Sequence, residues 1–375
     1  MRNRCYLDFE TRSACDLKDC GTSVYARHPS TTVLCANARV NGASLTIFDF
    51  NRDKEQFLSF IGGYPLVAHN ALFEQEIWNN ILVPVYGWTH KEPKDFYCTM
   101  AKCLKHSLPR GLDKAADTLN LLSRKDAEGY KLMLKMSNAK NPYEQVCTPE
   151  NLLRLGLYCE IDNITAEAID DTLPDLCLYE RQVWLMDQEI NLEGVKVDTD
   201  LVTRLKQIVA YEKALLLNEF KDIVSREELS SPTQVAKFKA WLIEESGLPL
   251  KDLSKRTVEN LLKDKTFPSH LKRALELRQA LSKSSTAKLD KLLSCSGDDR
   301  TVRGSMIYAG AHTLRWAGAL IQPQNFPSRR PKHWPDDIVE QLLNTLDTAE
   351  DTWPVLWGSC SEPVSHLLRA CLVAN

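Results

Sequence analysis

Hydrophobic and polar residues alternate in the first stretch of the chain, residues 5–10. Leu7 and Phe9 fall on one side of this stretch, and Asp8 and Glu10 fall on the other. A period of two residues is typical of a β-strand that is buried on one face. The pattern therefore predicts that the chain opens with a strand presenting two carboxylates side by side.

Further short apolar runs follow, and their spacing predicts an α/β layer. Asn41-Gly42 is a hairpin turn signal between two of these runs. The predicted strands lie at 33–36, 45–48 and 65–68, and helices are predicted from residue 73 to 81 and from the Thr148-Pro149 cap through residue 161. Strands followed by helices predict a mixed sheet with flanking helices.

From about residue 178 to 293 the pattern changes to long lysine-rich helical segments, among them 201–220 and 271–293. Turns are predicted at 231–233 and 247–249. Beyond Gly304 the chain is rich in Gly, Trp and Pro. The length of 375 residues allows two or three domains.

Composition excludes several classes of protein. The chain is 43% hydrophobic and 26% charged, with a mean hydropathy of −0.31, as in ordinary globular proteins. No apolar run approaches the ~20 residues of a membrane helix, and the charged N-terminus is unlike a signal peptide, so we expect cytoplasmic residence. The twelve cysteines form no C-x-x-C pair, which favours reduced thiols over disulfides or zinc.

Charge is unevenly distributed along the chain. The overall net charge is −3, yet residues 200–330 hold 23 basic and 15 acidic residues, a net charge of +8. Residues 1–199 carry −6 and residues 331–375 carry −5. Either the helices of the middle region simply have solvated faces, or this region binds a polyanion.

The acidic residues suggest a metal site. Two carboxylates side by side on a strand repel each other unless a cation lies between them, and Mg²⁺ or Mn²⁺ prefers such oxygen ligands. Taken by themselves, Asp8 and Glu10 could equally be the charged residues of an exposed edge strand that binds no metal. Glu74 lies one helical turn after Asn70, and Tyr158 and Asp162 share a helix face.

Together these segments resemble the three exonuclease motifs of the tyrosine-containing branch of the DEDD superfamily (DEDDy), as found in the proofreading domain of family-A DNA polymerases. The matching segments are Leu7-Asp8-Phe9-Glu10-Thr11, His69-Asn70-(x)₂-Phe73-Glu74 and Tyr158-(x)₃-Asp162. The second motif of that family usually ends in aspartate, where this chain has Glu74. The resemblance implies a ribonuclease H-like exonuclease domain over residues 1–176.

The implied chemistry is two-metal hydrolysis of the 3′-terminal phosphodiester of DNA. In that scheme Asp8 bridges two Mg²⁺ or Mn²⁺ ions, Glu10 and Asp162 complete the first, and Glu74 holds the second directly or through water. Tyr158 orients the attacking water by its position, because a phenol with an ordinary pKa near 10 is mostly protonated at neutral pH. Asn70 supports the strand end or the terminal nucleotide.

Residues 177–304 resemble the thumb of family-A polymerases, beginning with the passage from Trp184 to Asp198. A thumb grips duplex DNA through phosphate contacts, and the net positive charge supplies a physical reason. Any one basic residue could equally be an ordinary surface group. The candidate phosphate contacts are Lys251, Lys255, Arg256, Lys283 and Lys288.

Residues 305–375 resemble an incomplete N-terminal piece of the polymerase palm. The similarity covers 308–318 and 322–327, and it implies that Arg315, Gln324 and Asn325 contact template-primer DNA. A glycine is usual in the family where this chain has Leu314. A Trp/Gly-rich loop stabilising a domain junction is the alternative interpretation.

The palm aspartate motifs and the basic fingers helix of family-A polymerases are missing from the sequence. We therefore expect the proofreading exonuclease portion of a split or truncated phage-type polymerase, with a second polypeptide carrying palm and fingers. Its expected location is the cytoplasm, or the host cytoplasm if the gene is a phage gene. The alternatives are a stand-alone exonuclease in degradation or repair, and a non-catalytic DNA-binding subunit.

Overall fold

The structure is a computed structural model that describes residues 3–122, 126–282, 285–327 and 331–374. The described chain forms two compact units. The first contains residues 3–197, 294–324 and 374, and the second contains residues 198–293 and 325–373.

Ten short strands are distributed along the described residues. They are β1 (Cys5–Arg12), β2 (Thr32–Val40), β3 (Ala43–Ile47), β4 (Leu66–Ala68), β5 (Phe96–Cys98), β6 (Val195–Val197), β7 (Thr301–Val302), β8 (Met306–Ile307), β9 (Ala317–Gly318) and β10 (Leu372–Val373). The predicted opening strand and its neighbours are present. β1 and β2 extend beyond the predicted runs, β3 begins earlier and ends one residue sooner than predicted, and β4 begins one residue later.

The first unit is built on a five-stranded mixed sheet in the order β3-β2-β1-β4-β5. β1 pairs antiparallel with β2 and parallel with β4, so it is the central strand. Asn41 and Gly42 both have positive φ in the tight turn between β2 and β3, as the sequence predicted. The register of β1 shifts between Glu10 and Thr11, which marks a bulge just after the second carboxylate.

Helices make up most of the rest. Their bounds are α1 (Leu17–Arg27), α2 (Lys54–Ile61), α3 (Ala71–Ile77), α4 (Val83–Tyr86), α5 (Thr99–Lys105), α6 (Leu112–Thr118), α7 (Ala127–Ser137), α8 (Tyr143–Val146), α9 (Pro149–Thr172), α10 (Leu178–Glu193), α11 (Thr199–Val224), α12 (Val235–Ser246), α13 (Lys255–Lys263), α14 (Ser269–Leu281), α15 (Ser285–Cys295), α16 (Ile338–Asn344), α17 (Ala349–Trp357) and α18 (Ser361–Leu367). Among the described residues, none of these helices has both the length and the apolarity to cross a bilayer.

Both faces of the sheet are covered by helices, which makes the first unit a mixed α/β layer structure. On one face, Leu7 and Phe9 pack in a core with Phe57 of α2 and Ile77 of α3. On the other face, α9 lies against β1 and β2. The alternation along β1 therefore directs its apolar side chains to one helical layer and its carboxylates to the layer that contains α9.

Helix α9 begins where the sequence predicted. The Thr148 hydroxyl accepts a hydrogen bond from the backbone N–H of Asn151, and Pro149 occupies the first helical position. The helix then runs for 24 residues without a break. Its length places two distant groups, Tyr158 and Asp170, on one rigid element.

A buried ion cluster joins the far end of α9 to the start of β1. The Asp170 carboxylate is fully buried and accepts hydrogen bonds from the guanidinium of Arg4, the ammonium of Lys102 and the hydroxyl of Tyr6. Asp175, which is partly exposed, pairs with the same two cations. Arg4 and Lys102 hold the pKa of Asp175 below its ordinary value, at about 2.

The second unit is helical and has its own core, formed by residues of α11, α12, α13 and α14. Within it, the Phe238 ring stacks on Trp241 and packs at a tilt against Phe220. The helix predicted over 271–293 is in fact two helices, α14 and α15, because α14 ends at Leu281. Apolar periodicity continues across the break, so the periodicity alone could not locate it.

Leu314 has a φ of +60°, which is the left-handed conformation that favours glycine. We expect Leu314→Gly to stabilise the protein by about 0.5–1 kcal/mol, because glycine removes the steric cost of this backbone conformation. Leu248→Gly is the matched control, since both leucines are 41% exposed and Leu248 lacks a positive φ. Urea unfolding of the two variants measures the difference, and equal destabilisation by both would contradict the expectation.

Candidate active site

Three carboxylates from distant parts of the chain meet on the α9 side of the sheet. Asp8 and Glu10 leave β1 on the same face, and Asp162 projects from α9 toward them. One carboxylate oxygen from each of the three lies within 4.8 Å of the others. This spacing allows a single hard cation to contact all three groups.

Glu74 lies outside this group of three but close enough to act on it electrostatically. It occupies the first turn of α3, directly after β4, and its side chain is 3% exposed. Among the described residues, its Oε2 atom has no hydrogen-bond partner. A buried carboxylate oxygen without a donor is costly, so this atom is suited to a cation or a water held by one.

Burial raises the pKa values of all four acids, and repulsion by neighbouring carboxylates adds to the shifts of Glu10, Glu74 and Asp162. The pKa of Asp8 rises to about 6 and that of Asp162 to about 8, chiefly through burial. Burial also raises the pKa values of Glu10 and Glu74 well above normal, and the neighbouring Asp8 adds to both shifts. Four such groups cannot all ionise cheaply unless positive charge joins them.

We expect the metal-free protein to lose stability as the pH rises from about 4 to about 8. The pKa values of Asp8 and Asp162 are higher in the folded state than the ordinary value near 4, so ionisation opposes folding in this window. The loss should be smaller in Asp162→Asn, and Mn²⁺ should raise the wild-type melting temperature more at pH 8 than at pH 5. Parallel pH profiles for wild type and variant would contradict this.

Tyr158 lies one helical turn before Asp162 and faces the same cluster. Burial and the adjacent carboxylates of Asp162, Glu10 and Asp8 raise its phenol pKa above the ordinary value. The phenol therefore stays protonated and acts as a hydrogen-bond donor or a positioning group. A Cβ atom on Gly129 of α7 would lie 2.7 Å from the Cδ2 atom of Tyr158, so α7 packs closely on the tyrosine ring.

A cleft of about 510 Å³ opens beside Glu10. One side is apolar and aromatic, with Phe73, Tyr130 and Met133, and Lys18 and Lys140 add positive charge to the lining. The cleft can receive a flat, partly apolar group with an anionic attachment.

Asn70 caps α3 with a left-handed backbone, φ +82°, and its side chain makes no capping bond. It lines a second cavity of the first unit, also of about 510 Å³, with Met100 and Trp184. The preceding His69 is held by Thr99 and by the carbonyl of Arg110. Burial lowers the His69 pKa to about 4, so the ring is neutral at pH 7.

The basic candidates of the second unit are distributed on its surface. Lys251, Lys255 and Arg256 are exposed, with Lys255 and Arg256 in the first turn of α13. Lys288 lies over the ring of Phe326, 6.0 Å from its centroid. Lys283 lies outside the described residues.

The three candidates within residues 305–375 are also exposed. Arg315 and Gln324 belong to the first unit and Asn325 to the second. The Gln324 amide packs over Gly318, where a Cβ atom would collide with it. Nearby, the indole of Trp316 donates a hydrogen bond to the buried Asp187 carboxylate at 2.7 Å.

Two groups behind the acids were not among the sequence candidates. The thiol of Cys159 contacts Asp8. Asn163 donates to the backbone oxygen and the side-chain oxygen of Asn37, which lies opposite Asp8 in the β1–β2 register. The sequence could have indicated these two residues only by their positions in α9 next to Tyr158 and Asp162. A cysteine or asparagine at such a position is also an ordinary core residue.

Comparison with known proteins relates the chain to a DNA polymerase. It is 29% identical to the DNA polymerase of Bacillus phage SP02 over 398 positions, which cover 98% of this chain. The chain spans 57% of that relative's length. No family model matches the sequence.

A solved structure, the POL domain of Pol1 from M. smegmatis in complex with DNA primer-template and dNTP, shares 17% identity with this chain. The TM-score is 0.49, and the match covers 87% of this chain and 52% of that one.

Proposed function

We propose that this chain is a 3′→5′ DNA exonuclease, with a ribonuclease H-like domain that provides the proofreading portion of a phage-type family-A DNA polymerase. The observation that carries the proposal is the convergence of Asp8, Glu10 and Asp162 within 4.8 Å. The similarity to a phage DNA polymerase along 98% of the chain supports DNA as the substrate.

The donor set fits two divalent cations, Mg²⁺ or Mn²⁺. Asp8, Glu10 and Asp162 offer hard oxygen ligands, and the unpartnered Oε2 atom of Glu74 offers a further one among the described residues. When bound, such ions activate a water molecule and stabilise the leaving oxygen. Tyr158, kept protonated by burial, orients that water through its hydroxyl.

The cleft beside Glu10 is suited to the terminal nucleoside. Its volume of about 510 Å³ and its aromatic lining, including Phe73 and Tyr130, suit a base and sugar. Lys18 and Lys140 supply positive charge for the adjoining phosphates. A single-stranded 3′ end is therefore the proposed substrate.

For the rest of the chain we propose that exposed side chains bind DNA. Lys251, Lys255 and Arg256 are exposed cations of the second unit that can neutralise phosphates. Arg315, Gln324 and Asn325 are proposed contacts to primer-template DNA. We also propose a second polypeptide that carries palm and fingers, and primer extension with and without such a partner tests this part separately.

Release of mononucleotides from a 5′-labelled single-stranded oligonucleotide tests the exonuclease directly. Wild type should shorten the strand from its 3′ end in Mg²⁺ and stop when the metal is chelated. A 3′-phosphorothioate oligonucleotide is the matched control and should resist. A chain that binds DNA but never shortens it would refute the proposal and favour a non-catalytic subunit.

Gly129→Ala should slow trimming about tenfold or more while the protein stays folded. The added Cβ would lie 2.7 Å from the Tyr158 ring and 2.4 Å from the Asp126 carboxylate, so the tyrosine must move, and small displacements of positioning groups are costly. Gly63→Ala is the control, because a Cβ there meets nothing within 4 Å. Single-turnover rates and melting curves of both variants check this, and equal rates would contradict it.

A further inference from the structure

The thiol of Cys159 lies directly behind the acidic cluster. Its sulfur is 3.0 Å from the Oδ2 atom of Asp8 and 3.3 Å from the backbone oxygen of the same residue. Both oxygens are acceptors, so the S–H group donates to Asp8. We propose that Cys159 is a positioning residue that fixes the Asp8 carboxylate for the reaction, an inference that rests on the proposed exonuclease function.

The contact joins the two elements that build the site. Asp8 belongs to the central strand, and Cys159 belongs to α9 between the two residues that α9 contributes, Tyr158 and Asp162. The partners are 151 positions apart in the chain. A hydrogen bond between these two elements therefore fixes both the orientation of the Asp8 carboxylate and the distance between α9 and β1.

The Cys159 thiol is enclosed by protein, and the residue is 0% exposed. A second buried thiol, that of Cys35 on β2, is also within hydrogen-bonding reach of Cys159. The 3.0 Å distance to the Oδ2 atom of Asp8 assigns that carboxylate oxygen as the acceptor of the S–H group.

The chemistry of the donor explains why a cysteine suits this position. A thiol is large enough to fill the apolar space between α9 and the sheet, where Leu34, Cys35 and Leu155 surround it. It is also a weak donor. It can therefore orient Asp8 without competing strongly with a cation for the carboxylate oxygens.

The experiment compares Cys159→Ala with Cys159→Ser, which differ only in the presence of a donor. We expect the alanine variant to trim DNA ten- to a hundredfold more slowly and to bind Mn²⁺ more weakly, since a hydrogen bond to a charged group is lost. The serine variant should retain most of both properties. The same pair at Cys103, another fully buried cysteine of the first unit, supplies the control for simple loss of packing.

A spectroscopic readout tests the bond independently of catalysis. The Raman S–H stretch of Cys159, isolated by subtracting the spectrum of Cys159→Ala, should lie below the frequency of a free thiol and should rise in Asp8→Ala. An unchanged band in Asp8→Ala, or equal effects of the alanine variants at 159 and 103, would overturn the inference. Failure of wild type to trim DNA would refute the proposed function instead, while the band would still report the hydrogen bond.

Discussion

Replacement of Asp8 by asparagine is expected to slow 3′-end trimming on the order of a thousandfold. Asp8 lies on the central strand, and its charge acts on the pKa values of Glu10, Glu74 and Asp162. Removing a metal ligand costs several kcal/mol of transition-state stabilisation, and each 1.4 kcal/mol is about tenfold in rate. Single-turnover rates on a labelled single strand in Mg²⁺ measure the effect.

The same substitution should not weaken the metal-free fold. Asparagine removes one negative charge from a buried cluster of acids, so the melting temperature without divalent ions should stay equal or rise at pH 8. Asp117→Asn, an exposed aspartate of the same unit, is the control and should leave both trimming and stability unchanged. If Asp8→Asn trims DNA at the wild-type rate, the acidic cluster takes no part in the reaction.

Replacement of Asp170 by asparagine is expected to lower the free energy of unfolding by about 3–5 kcal/mol. Asp170 is fully buried and accepts from Lys102 at 2.6 Å and from Arg4 at 2.9 Å. Both cations are nearly buried themselves, so replacing the carboxylate by a neutral amide leaves buried positive charge that is only partly compensated. Urea or guanidinium unfolding of the variant gives the value.

Asp175→Asn provides a matched comparison for this effect. Asp175 pairs with the same Arg4 and Lys102 but its side chain is 43% exposed, so water screens the interaction. Its loss should cost only about 1 kcal/mol or less. Similar losses in the two variants would show that burial of Asp170 does not govern the strength of this cluster.

The two predictions separate the acidic cluster from the anchoring of α9. Asp162 contributes to the acidic cluster, whereas Asp170, two helical turns further along, ties the helix to the start of β1 through Arg4 and Tyr6. A variant at Asp8 should therefore affect rate and not stability. A variant at Asp170 should affect stability first.

Local features of the sequence determined much of the site. A period of two residues placed Asp8 and Glu10 on one face of a strand, and helical spacing placed Tyr158 and Asp162 on one face of a helix that starts at Thr148. Each of these inferences depends only on residues within a few positions of one another, where backbone geometry fixes side-chain direction.

The tertiary structure alone decided how closely those faces approach. The 4.8 Å cluster depends on how α9 packs against the sheet. This packing is held by three contacts, those of Cys159 with Asp8, Asn163 with Asn37 and Asp170 with Arg4. These contacts join residues more than 120 positions apart, and their strength comes from burial, which no local pattern reports. The left-handed backbone of Leu314 and the end of α14 at Leu281 are likewise visible only in the structure.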